Sequence, residues 1–255
     1  MDNYSRDYRT ARSGSDGTYA RQATRANTPY STVSSTFATL MRKVYLWMTL
    51  ALAVSGLTAF YVANNVNLVY AIYTNQLLFW GLFIVEIGLV IWLSAAFNKI
   101  SFQLAALLFL AYSVINGVTL SFIFLAYTAT SIATTFAVTA ATFAAMALIG
   151  SVTKTDLTKL GGILLMALIG LIIAAVVNIF LRNSMLDLII SGIGVLIFVG
   201  LTAYDAQKIK AIMLQYGTEI NGTTQKLAVL GALTLYLDFI NLFLYLLRFL
   251  GKARD

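Results

Sequence analysis

The sequence contains no cysteine and no histidine, one proline (Pro29), and few charges, with Asp, Glu, Lys and Arg making up 11% of its 255 residues. Each shortage excludes a class of chemistry. Without cysteine there are no disulfides, thiolate nucleophiles, iron–sulfur clusters or thiolate zinc sites. Without histidine the commonest metal ligand and the commonest general base are missing. A soluble domain carries roughly a quarter of its residues as charged side chains, whereas this chain is 60% hydrophobic. That is the composition of a protein dissolved in lipid, and most soluble-enzyme readings fall with it.

The charges that are present are unevenly spread. Residues 1–43 hold seven basic and three acidic side chains, and the rest of the chain ten basic and seven acidic, so the net +7 divides into +4 and +3. Residues 1–40 are polar, without an apolar run to bury, and read as a disordered cytoplasmic tail. The first apolar run comes too late for a signal peptide. The basic residues of the tail lead directly into a membrane span, which suits anionic lipid headgroups and not nucleic acid.

A hydrocarbon core of about 30 Å needs about 20 apolar residues in a helix. Seven segments qualify, at 44–66, 76–97, 101–126, 131–152, 160–181, 186–207 and 227–249. The longest loop between them is 208–226. Period-2 alternation is absent, so the fold class is all-α: a polytopic seven-helix bundle over residues 41–255. Gly161, Gly162, Gly170, Gly192, Gly194 and Gly200 read as sites of close helix packing. With the N-terminus on the cytoplasmic side, 13 of the 17 basic residues are cytoplasmic. Seven full spans then put the C-terminus outside, where Arg248, Lys252 and Arg254 run against the rule; a re-entrant last segment is the alternative.

Three acids stand out within the spans: Glu86 in LFIVEIGLVIWL, Asp205 in GLTAYDAQKIK and Asp238 in ALTLYLDFINLF. No Lys or Arg occupies the middle of any span. Glu86 and Asp238 therefore have no ion-pair partner, which leaves protonation, a hydrogen-bonded carboxyl pair or a cation. In the seventh span Gly231, Thr234, Asp238, Asn241 and Tyr245 lie on one helical face, so that face meets other helices or water. For Thr234 and Asn241 the alternative is packing through hydrogen bonds across helices. For Glu86 the plainer reading is a neutral acid bonded to a neighbouring helix. Asp205 has an ordinary alternative too, an edge-of-membrane pair with Lys208. Asp205 and Asp238 meet only if the sixth helix runs on through Lys208 and Lys210 with their amines snorkelling outward. If they meet, they titrate as a unit.

These residues resemble the Bax inhibitor-1 family, the transmembrane Bax-inhibitor-motif proteins, and its bacterial inner-membrane members in particular. The resemblance begins at MRKVYLWMTLAL (41–52), continues through GVTLSFIFLAYTATSIATTF (117–136) and TKTDL (153–157), and is most specific in FVGLTAYDAQKIK (198–210) and LGALTLYLDFINLFLYLLRFLG (230–251). It implies a seven-helix bundle with the last helix central, no cofactor, and a pH-sensitive calcium leak in the inner membrane. It also implies that Asp205 and Asp238 pair as pH sensor and gate, with calcium or protons as the species handled, and Tyr204 belongs to the same motif. One departure is visible. Some bacterial members carry an arginine about three turns after the second-span glutamate, where this chain has Phe97, with Lys99 the nearest base.

Two other functions remain open at this level. One is a non-transporting regulator that binds a membrane-anchored protease or acts as a survival factor, as some family members are described. The other is an intramembrane aspartyl protease, which also sets aspartates on two helices. Against it, LYL precedes Asp238 where such proteases have Gly-x-Gly, and their Pro-Ala-Leu element cannot be formed. No enzyme activity is expected. A retinal receptor is excluded, because residues 227–247 contain no lysine.

Overall fold

The computed structural model describes residues 30–96, 99–216 and 219–254. Residues 1–29, most of the expected tail, and Phe97 lie outside them. The helices are α1 Tyr30–Ala63, α2 Val66–Thr74, α3 Gln76–Ala95, α4 Phe102–Ala126, α5 Ala129–Val152, α6 Thr158–Leu181, α7 Ser184–Tyr216 and α8 Gly222–Leu250. All but α2 are long and apolar enough to cross a membrane, which makes seven spans. The nine residues of α2 are too few to do so.

Two boundaries differ from expectation, and both matter. α1 starts at Tyr30 and not near residue 44, so the last part of the expected tail is helix. Its many Ser and Thr residues conceal an apolar stripe, Phe37–Leu40–Met41–Val44, of which Leu40 and Val44 are fully buried. Burial of such a stripe, more than propensity, stabilises a helix. At the other end of the sequence, α7 continues to Tyr216. The long loop expected at 208–226 shrinks to the few residues between Tyr216 and Gly222.

Polar caps set the remaining breaks. Asn65, Asn75, Ser101, Thr128 and Asn221 each accept first-turn backbone N–H groups through their side-chain oxygens. Such caps let helices start and stop within a few residues without proline.

The last helix is central. α8 packs against α1, α4, α5 and α7, and 67% of its most apolar window is buried, against 11% for α3 and for α6. Those two sit outside, α3 on α4 and α6 on α7. Four of the six other spans therefore touch the central helix. α8 is a full span and not a re-entrant segment. Its C-terminal extension is fastened to the α4–α5 connection by Arg254 N–H to Ala126 O (2.9 Å), Thr128 N–H to Lys252 O (3.3 Å) and Lys252 N–H to Ser131 Oγ (2.9 Å). The C-terminus thus lies at the end of the bundle opposite the start of α1.

Candidate functional site

The length of α7 decides whether the two aspartates meet. Because the helix runs on past Lys210, Asp205 is half-buried and its carboxyl group lies beside that of Asp238 on α8, close enough for the two to interact. The lysines leave the site in different directions. Lys210 Nζ donates to the backbone oxygen of Ser151 at the end of α5. Lys208 lies over the ring of Tyr204, 5.7 Å from its centroid, and forms no salt bridge with Asp205. Gln207 fastens the same turn to the α5–α6 connection, accepting from Leu157 N–H (2.9 Å) and donating to Thr155 O (2.8 Å). Arg248 pairs with Asp187 at 3.3 Å, at the far end of the bundle.

A hydrogen bond between two carboxyl groups requires a proton on one of them. Asp238 is 5% exposed, and its Oδ2 is buried without any hydrogen-bond partner. Buried polar atoms are almost always satisfied, so an orphaned carboxylate oxygen beside a second acid marks a place for a proton or a cation. Next to the pair lies a cavity of about 100 Å³ lined by Asp205, Lys208, Gly231 and Thr234, among others. The pair offers at most four carboxylate oxygens, and no cluster of three acidic or other metal-ligating side chains occurs among the described residues. Calcium takes about six to eight oxygens. The two carboxylates alone fall short of that number.

The α8 stripe faces α7, but its members do different things. Gly231 lets Ile209 approach, Thr234 lines the cavity, and Tyr245 stacks on Phe198 with ring centroids 5.7 Å apart. Thr234 Oγ1 donates to Leu230 O (3.1 Å) and Asn241 Nδ2 to Leu237 O (2.8 Å), both on their own helix. The expected hydrogen bonds across helices are absent at these two residues, because the carbonyl one turn back is the nearer acceptor. Tyr204 packs over Gly161 of α6, away from Asp238. Gly194 and Gly200 likewise admit Tyr245 and Leu164, whereas Gly162 and Gly170 have nothing near them.

Glu86 stands apart from the pair, within a polar chain that joins four spans. Its Oε1 accepts from Thr119 Oγ1 (2.7 Å) and from Asn116 Nδ2 in a long contact of 3.5 Å, both on α4. Asn116 Oδ1 accepts from the Tyr236 hydroxyl of α8 (2.8 Å), which lies 2.6 Å from Ser55 Oγ on α1. The Tyr236 ring is fully buried and meets Phe109 and Tyr112 edge-on. Ser55 can sit this deep because Gly117 of α4 has no side chain to collide with it. None of Ser55, Asn116, Thr119 and Tyr236 stands out when the acids alone are sought. A signal was available: Ser113, Asn116 and Gly117 of α4 form a small, polar stripe like that of α8.

The family described as "Inhibitor of apoptosis-promoting Bax1" matches residues 38–255. The inner membrane protein YbhL of Escherichia coli is 48% identical over 216 residues, covering 85% of this chain and 92% of its own length. A protein of Borreliella burgdorferi is also 48% identical, over 217 residues, with 84% and 92% covered. Protein RP147 of Rickettsia prowazekii is 43% identical over 215 residues, with 84% and 90% covered.

Proposed function

The chain belongs to the Bax inhibitor-1 family of membrane proteins, and we propose that within it this protein is a pH-gated cation leak switched by Asp205 and Asp238. The observation that carries this reading is the buried, unpartnered Oδ2 of Asp238 beside a second acid. With one proton on the pair, a carboxyl–carboxylate hydrogen bond holds α7 to α8. Loss of that proton leaves two like charges a few Å apart with no basic side chain between them, and they repel. Separation of α7 from α8 would open the neighbouring cavity toward the pair and offer a cation two carboxylates. The charge of Lys208 reaches Asp205 from the same helix, and it favours the open, doubly charged form.

The sign follows. Leak is low where the pair holds its proton and rises as pH rises, by at most about tenfold per pH unit for a one-proton switch. The residence of the protein is the inner membrane, as for the relative from Escherichia coli, with the N-terminus cytoplasmic. No covalent chemistry on a substrate belongs to this reading.

The test uses the full chain in liposomes loaded with a calcium dye, compared at about pH 6 and about pH 8. Wild type should admit more calcium at the higher pH. Asp238→Asn and Asp205→Asn keep a hydrogen-bonding side chain but remove the second charge, so both should stay tight at each pH. Vesicles no leakier than empty ones at either pH overturn the proposal and leave the non-transporting regulator as the reading to pursue.

A further inference from the structure

α1 and α5 share no packed interface, although both lie along the central α8. The gap between them is a cleft of about 460 Å³ walled by Tyr45, Thr49 and Leu52 of α1 and by Ala144 and Ala147 of α5, with Phe239 of α8 among its lining residues. A second cavity of about 80 Å³ continues it toward the other end of the bundle, sharing Leu52, Phe136 and Phe239. The walls are apolar. The hydroxyl proton of Thr49 is already given to Tyr45 O at 2.8 Å, so this side chain does not call for a polar ligand, and a polar ligand would lose its hydration for nothing.

One end of the cleft is different in kind. The α1 stripe that lines it, Tyr45–Met48–Thr49–Leu52, reaches Arg42 one turn earlier, and Arg42 is exposed, beside Lys43. Past the end of α5 the first charged residue is Lys154. An apolar trough within the span, closed at one end by cations at the membrane edge, has the charge and polarity pattern of a phospholipid with an anionic headgroup. The cleft opens sideways into the bilayer, where the surrounding solvent is acyl chain. A wall without atoms against it forfeits its van der Waals contacts.

We propose that the α1–α5 cleft is a binding site for an anionic phospholipid, with an acyl chain lying along Tyr45–Leu52 over Phe239 and the phosphate meeting Arg42. The site is separate from the Asp205–Asp238 pair, which faces α7. It also gives the α1 extension a role, since the extension carries the helix, and with it Arg42, out to headgroup level.

The experiment places the full chain in bilayer discs of phosphatidylethanolamine. The discs are doped with phosphatidylglycerol that carries a photoactivatable diazirine in its acyl chain, or with the phosphatidylethanolamine analogue. After irradiation, labelled peptides are located by mass spectrometry. Label should concentrate on α1 and α5 by about fivefold over the lipid-facing surfaces of α3 and α6, and more strongly with the anionic probe. Ala144→Trp, which fills the cleft, should remove that excess, while Leu165→Trp on the exposed face of α6 should not. Arg42→Gln should keep the labelling but lose the preference for the anionic probe. Label spread evenly over all exposed helices overturns the proposal, as does an unchanged excess in Ala144→Trp with wild-type thermal melting. If Ala144→Trp does not fold, the wild-type distribution and Thr49→Trp, from the opposite wall, decide. Cross-links between two copies through α1 and α5 would also overturn it, by showing a protein–protein interface.

Discussion

Glu86 on α3 and Asp238 on α8 are both buried, at 9% and 5% exposure, yet one acid lies among donors and the other against a second acid. Glu86 ends a polar chain in which Tyr236, Asn116 and Thr119 hold it between α3 and α4, with Ser55 behind them. Its surroundings donate to the carboxylate, and the Thr119 hydroxyl can also accept from the protonated acid. Asp238 faces a second acid, and its buried Oδ2 has no donor. Burial alone therefore does not mark a switch. What marks it is a surrounding that satisfies only one protonation state.

That contrast can be broken in several places, and the largest effect is expected at the hinge of the polar chain. Tyr236→Ala removes a fully buried ring and the donor to Asn116 together. It should cost about 3–5 kcal/mol, the range for large aromatic truncations, measured as a lowered unfolding midpoint in lipid or detergent. Next comes Asp238→Asn, which should flatten the pH response of the leak. A one-proton switch spans at most about 2.7 kcal/mol over two pH units, and the variant should lose all of it in the dye assay. Tyr236→Phe keeps the ring but leaves Asn116 Oδ1 without its donor. It should cost about 1–3 kcal/mol and leave the pH response intact. Glu86→Gln retains an acceptor for Thr119 and should cost less, about 1 kcal/mol, again without changing the pH response. If Glu86→Gln flattens that response as Asp238→Asn does, the distinction between the two sites is lost.

The smallest effect belongs to an acid in water. Asp156, fully exposed in the α5–α6 connection, accepts from the hydroxyl (2.6 Å) and backbone N–H (2.9 Å) of Thr158, and these bonds hold its carboxyl below the usual aspartate range. A lowered native pKa stabilises the fold above the unfolded-state value, and the contribution disappears as pH falls through the native one. Asp156→Asn should therefore melt slightly below wild type above about pH 4, where the contribution is present, and converge on wild type on the acid side.

Much of this architecture was legible in the residues, for identifiable reasons. Apolar runs of about 20 residues fix spans whatever their packing, and the α8 stripe from Gly231 to Tyr245 was readable because period 3.6 survives in any helix. The ends of α1 and α7 were not. Ser and Thr around Phe37 and Leu40 read as tail, and Lys208 and Lys210 read as loop, although snorkelling lets both lysines sit on a helix that continues inward. That second error hid the depth of Asp205, on which the site depends. The polar chain at Glu86 was hidden differently. Ser55, Asn116 and Tyr236 come from three helices, each contributing one polar residue, and nothing local in the sequence says that they converge. The alternative reading of Thr234 and Asn241 as bridges between helices does not hold, because each finds an acceptor on its own helix.

The central claim is that the Asp205–Asp238 pair, and not Glu86, gives up a proton as pH rises. Infrared difference spectroscopy of the protein in lipid, stepped from about pH 6 to about pH 8, reads carboxyl protonation directly. A protonated-carboxyl band should be lost at the higher pH in wild type and in Glu86→Gln, with no such pH-dependent loss in Asp205→Asn and Asp238→Asn. A loss that survives in both aspartate variants and vanishes in Glu86→Gln would contradict it.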